Sequence, residues 1–133
     1  MRLSTNLPAE TILLAEGEVL VRYAIADYLR ECGYRVVEVS SAEEALEVFR
    51  EPAIGVSILL SSAELAGPMD GFALARWVRA NRAGVGVMLA GTISREADAA
   101  AELCDKGPML SRPYEPQAVV DRIRRLLAER KRS

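Results

Sequence analysis

Short, mostly apolar runs recur along the chain at Thr11–Ala15, Tyr34–Val39, Val56–Leu60, Val85–Leu89 and Pro108–Leu110, with amphipathic segments between them. A run such as Thr11-Ile12-Leu13-Leu14-Ala15 shows no polar alternation, so neither face of the strand it would form is meant for water. Strands of that kind belong to parallel sheets covered by helices on both sides. The runs are numbered β1 to β5 in chain order.

The intervening segments read as helices α1 to α5. In the first, Leu20, Val21, Ala24, Ile25, Tyr28 and Leu29 share a face, and Gly33 follows the last turn as a cap. Ser41 and Glu44 form a capping box for α2, which turns Ala45, Leu46, Val48 and Phe49 inward and stops at Pro52. Phe72, Leu74, Ala75, Trp77 and Val78 give α3 its apolar side, and Ser94 is placed to cap an alanine-rich α4. Glu115 and Pro116 open α5, where Val119, Val120, Ile123, Leu126 and Leu127 recur at helical spacing. Strand and helix alternating over short loops predict an α/β fold, a (βα)5 doubly wound parallel five-stranded sheet, because crossovers are right-handed. The domain is expected over 11–129, after a loose leader at 1–10 and before a frayed basic tail at 130–133.

At 133 residues the chain can bury a core without staples. A net charge of −2 leaves no electrostatic footprint for nucleic acid, and no run approaches the ~20 apolar residues of a membrane span, so neither partner is expected and the protein is read as cytoplasmic. The sequence contains no histidine, which removes the commonest general base and the commonest metal ligand. Cys32 and Cys104 lack metal or redox spacing and are read as two small buried hydrophobes rather than as a disulfide.

In an open parallel sheet, ligands sit outside the carboxyl ends of the strands. Those ends carry Glu16, Gly17 and Glu18 after β1, Ser61 and Ser62 after β3, Ala90 and Gly91 after β4, and Ser111 and Arg112 after β5. With Gly67-Pro68-Met69-Asp70-Gly71 before α3, Met88-Leu89-Ala90-Gly91 at β4 and Leu110-Ser111-Arg112-Pro113-Tyr114 at β5, the stretch from Thr11 to about Glu129 resembles the CheY-like response-regulator receiver domain of two-component signalling. The resemblance implies the flavodoxin-like strand order 2-1-3-4-5. It also implies phosphoryl transfer from a histidine kinase to an aspartate ending β3, helped by Mg²⁺ on acids after β1, a hydroxyl after β4 and a lysine after β5.

Carried over residue by residue, the pattern breaks at most of these positions. Ser62 stands at the acceptor position, and without a base its hydroxyl is a poor nucleophile. Glu16 keeps one acid, Gly17 replaces the second, and Glu18 matches a third acid common in the family, so no cofactor is expected and Mg²⁺ would be held weakly. Ala90 replaces the hydroxyl, Met109 the switch aromatic and Arg112 the lysine, while Asp70 is expected to act as a helix-terminal acid. Arg112 could clamp Glu16 or Glu64, and the family pattern suggests a cis bond at Arg112-Pro113.

The expected function is a degenerate receiver, a pseudo-receiver that has lost aspartyl phosphorylation and acts as a protein–protein interaction module. It would meet a histidine kinase or output protein, or a second copy of itself. Glu96, Asp98 and Glu102 on α4, with Arg122, Arg124 and Arg125 on α5, are candidates for such a contact through the α4–β5–α5 face, although solvated helix faces explain the same charges. The alternatives are residual or non-standard phosphoacceptance and a small-anion or nucleotide site using Ser61, Ser62, Gly91 and Arg112. An enzyme is not expected, because no activated nucleophile or coherent metal set is present.

Overall fold

The computed structural model describes residues 10–107 and 112–132. Its elements are β1 (Thr11–Ala15), α1 (Val19–Glu31), β2 (Arg35–Val39), α2 (Ala42–Arg50), β3 (Val56–Ser62), α3 (Gly71–Asn81), β4 (Gly86–Ala90), α4 (Ile93–Asp105) and α5 (Pro116–Arg132). The described strands form a parallel sheet in the order β2-β1-β3-β4. The run at Pro108–Leu110, expected as a fifth strand, lies outside the described residues, as does Met109.

Alternate residues of the central strands feed two apolar cores, as strand geometry requires. Ile12, Leu14 and Leu60 pack with α1, α4 and α5, whereas Leu13, Ala15 and Leu59 pack with α2 and α3. The place of α4 departs from a doubly wound walk. A right-handed step from β4 to a neighbouring fifth strand would lay α4 beside α2 and α3. Instead Ala97, Ala99, Ala100, Leu103 and Cys104 join the core of α1 and α5. Small alanine side chains let the helix lie close, and Tyr34 Oη donates to the Leu103 carbonyl.

Covalent chemistry holds the same contact. Cys32, capping α1, is joined to Cys104 of α4 across a Cα–Cα distance of 5.3 Å. This corrects the reading of two free thiols: both cysteines are buried, but the fold of the intervening 72-residue separation brings them into bonding range. Gly107 sits against this corner with no room for a side chain, since a Cβ would meet the Tyr34 ring at 2.9 Å.

Other local expectations shift for identifiable reasons. β3 continues through Ser61 and Ser62 because both pair with β4, opposite Leu89 and Ala90. Thr92, not Ser94, caps α4, accepting from the Arg95 N–H. In the α2 capping box, Ser41 Oγ accepts from the Glu44 N–H, but the Glu44 carboxylate reaches the Ser40 N–H and hydroxyl. Phe72 is 53% exposed, because α3 turns Leu74, Ala75 and Val78 inward instead. Among the described residues no peptide bond is cis, which corrects the expectation at Arg112-Pro113. Helix α5 runs to Arg132, so the segment read as a frayed tail is helical that far, and Arg130 is anchored to Glu18.

Candidate functional site

Outside the carboxyl ends of β1, β3 and β4 lies a crevice of about 590 Å³. Its polar lining comes from Glu16, Glu18, Ser62, Glu64, Thr92 and Glu96, and its apolar wall from Val21, Ala66, Ile93 and Leu127. Gly17 and Gly91 complete it. The sheet therefore brings together the strand-end residues of β1, β3 and β4 singled out from the sequence.

Glu16 is nearly buried, and its position is fixed by short contacts. Its Oε2 accepts from the Glu18 N–H at 2.7 Å, and its backbone carbonyl accepts from Arg22 Nη1 at 2.8 Å. Glu18 is used differently. It caps α1 through the Leu20 N–H and takes two bonds from Arg130, at 2.6 and 3.0 Å, whose guanidinium holds its carboxyl below the usual range. At Gly17 a Cβ would meet only the Ser40 carbonyl oxygen, at an ordinary 3.6 Å. The backbone does not demand glycine there.

Ser62 ends β3 and turns its hydroxyl into its own loop, accepting from the Glu64 N–H and donating to the Glu64 carbonyl, both at 3.2 Å. Ser61 is fully buried and donates to the Ser62 carbonyl. Gly71, the first residue of α3, crosses directly behind this strand end: a Cβ there would lie 1.9 Å from the Ser62 carbonyl oxygen. Asp70 caps the same helix, accepting from the Ala73 N–H at 2.8 Å. Ala90, opposite Ser62 in the register, presents no hydroxyl to the crevice.

Glu96, expected on an exposed interface, is instead buried. It is 2% exposed, on the inner stripe of α4 with Ala97, Ala100, Leu103 and Cys104. Burial, reinforced by a hydrogen bond and charge from Glu16, pushes its carboxyl up to about 10. Its Oε1 has no hydrogen-bond partner among the described residues. The signal was present in the sequence: 93, 96, 97, 100, 103 and 104 follow the helical stripe, and Glu96 is its one charged member.

Arg112 does not clamp Glu16 or Glu64. Its guanidinium takes Asp105 at the end of α4 through bonds of 2.8 and 2.6 Å, with Glu115 at 3.7 Å. Its partner is thus an acid seven residues earlier in the chain, at the end of α4. Arg122 is likewise committed, to Asp27 and the Tyr114 hydroxyl, both at 3.2 Å. Asp98, Glu102, Arg124 and Arg125 are exposed.

The donors at the crevice do not suit the Mg²⁺ that the fold family implies. That ion wants near-octahedral oxygen ligands, but Gly17 supplies none and Glu18 is held by Arg130. Among the described residues no group of three or more His, Cys, Asp or Glu is arranged to hold a metal ion. Also among them, no helix is long and apolar enough to cross a membrane.

No protein-family model matches the chain. It is 33% identical over 119 residues to response regulator protein FleR of Pseudomonas aeruginosa, covering 88% of this chain and 24% of FleR. The chain thus spans about a quarter of that curated relative's length. A putative response regulator from Chloroflexus aurantiacus matches at 28% identity and TM-score 0.56, over 92% of this chain and 99% of that one. A CheY-like receiver domain protein from Methanospirillum hungatei shares the fold at 19% identity and TM-score 0.58, over 92% and 97%. On the strand-end motifs, the parallel sheet and these likenesses together, the chain belongs to the response-regulator receiver (CheY-like) domains.

Proposed function

We propose that this receiver domain signals without aspartyl phosphorylation, as a protein–protein interaction module. The observation that carries the reading is Ser62, a hydroxyl at the end of β3 where the chemistry needs a carboxylate, engaged with the Glu64 backbone and far from any histidine because the sequence has none. Gly17, Ala90 and the outward pairing of Arg112 support it, since each removes a group that would bind Mg²⁺ or phosphoryl oxygens. From the same donors, the proposal includes no resident Mg²⁺ cofactor.

The partner is a histidine kinase or an output protein, met through the exposed charges of α4 and α5. Asp98 and Glu102 are opposite in charge to Arg124 and Arg125, so a homodimer through the exposed charges of α4 and α5 is the specific form to test. Sedimentation at high concentration would show a dimer, and a monomer would remove it.

Phosphoacceptance and anion binding are disfavoured by electrostatics, because Glu16 and Glu64 line the crevice, Glu18 is already paired with Arg130, and no arginine or lysine is among the described lining residues. Incubation with acetyl phosphate or a cognate kinase, followed by intact mass measurement, tests the main reading. No phosphoryl adduct is expected, and a stoichiometric one would overturn it.

A further inference from the structure

The crevice combines features that no phosphoryl site needs. Glu96 is buried, lines the crevice together with Glu16, and leaves Oε1 without a hydrogen-bond partner among the described residues. A buried acceptor without a donor costs stability, so the position calls for an N–H or O–H from outside the chain. Glu64 adds negative charge at the rim. Around these acids, Val21, Ala66, Ile93 and Leu127 make an apolar wall.

We infer that the crevice binds an alkylammonium group, its N–H donors reaching Glu96 Oε1 and Glu16 and its methylene stem lying along Val21, Ile93 and Leu127. An ammonium is compact, carries three donors and rides on an apolar stem, which matches deep acceptors behind an apolar wall. A planar guanidinium needs a wider fork of acceptors, and a divalent cation lacks the ligand set. The same chemistry comes from a lysine side chain of a partner protein or from a free small amine. This inference rests on the crevice no longer being a phosphoryl site.

The test is calorimetric titration of the full chain with n-butylammonium, with tetramethylammonium and magnesium chloride as comparators. Saturable binding of one n-butylammonium is expected, with amide shifts in the wild-type NMR spectrum centred on Gly17, Ser62 and Gly91. Glu16→Gln and Glu96→Leu should each weaken it about tenfold or more while retaining native unfolding transitions. The wild-type shifts keep the test decisive if either variant misfolds. A glycine-flanked lysine peptide binding more tightly than n-butylammonium assigns the donor to a partner protein, and the reverse assigns it to a free amine. No saturable binding, equal binding of tetramethylammonium, displacement by magnesium, or unchanged affinity in both folded variants overturns the inference. A phosphoryl adduct in the mass assay would instead sink the proposed function, whatever the titration shows.

Discussion

Cys32 and Cys104, 72 residues apart in sequence, are joined at the point where the end of α1 meets the last turn of α4. The bond closes a loop holding β2, α2, β3, α3 and β4, so it limits the unfolded chain over most of the sheet. Reduction, or Cys104→Ala, should lower stability by about 2–4 kcal/mol, read from chemical denaturation with and without reductant. Thiol titration of the unfolded, unreduced protein should find no free thiol.

Glu96 gives stability a pH dependence of definite sign. Its folded value, about 10, lies above the ordinary 4.5, so the folded state keeps a proton that the unfolded state releases. That contribution is full below about pH 4.5 and is lost as the pH rises toward about 10. Glu96→Gln lacks this titration. Relative to wild type it should therefore be more favourable at pH 8 than at pH 5, by up to about 4 kcal/mol at ~1.4 kcal/mol per pH unit, measured by denaturation at the two pH values.

Gly71→Ala places a methyl 1.9 Å from the Ser62 carbonyl, a clash between backbone groups that no rotamer relieves. A loss of about 3 kcal/mol or more is expected. Asp70→Ala, one residue earlier, removes only the helix cap and should cost about 1 kcal/mol. Thermal unfolding of the two variants side by side separates steric from capping effects.

Tyr28 is fully buried, its hydroxyl unpartnered among the described residues and its ring edge-on to Tyr114 at 5.1 Å. Tyr28→Phe keeps the ring contact and removes an unpaired polar atom. A gain of about 1 kcal/mol is expected, and a loss would show that the hydroxyl finds a partner in solution.

Ser62→Asp restores the acceptor carboxylate alone. Without the second acid, the hydroxyl and the lysine it should remain unphosphorylated by acetyl phosphate in the intact-mass assay. Gly17→Asp is compatible with the backbone, and the Ser62→Asp, Gly17→Asp pair should bind Mg²⁺ more tightly than wild type in a calorimetric titration.

The strands and helix starts were legible because they rest on local rules. Short, mostly apolar runs marked β1, β2, β3 and β4, and Ser41, Asp70 and Pro116 marked three helix starts where the structure has them. What the sequence hid was long-range. The disulfide needs α4 beside α1, and nothing local to Cys104 states which face of the sheet α4 covers. Arg112 was assigned to the crevice by its place after a strand, yet side-chain reach toward Asp105 decided its partner. Glu96 was misplaced by reading charge before periodicity.

The close passage of Gly71 behind Ser62 is a contact of main chain with main chain. It is indifferent to which side chain residue 62 carries. The corner that displays the acceptor can therefore exchange carboxylate for hydroxyl while the strand, the turn and α3 stay in register, which separates the evolution of its chemistry from the evolution of its shape.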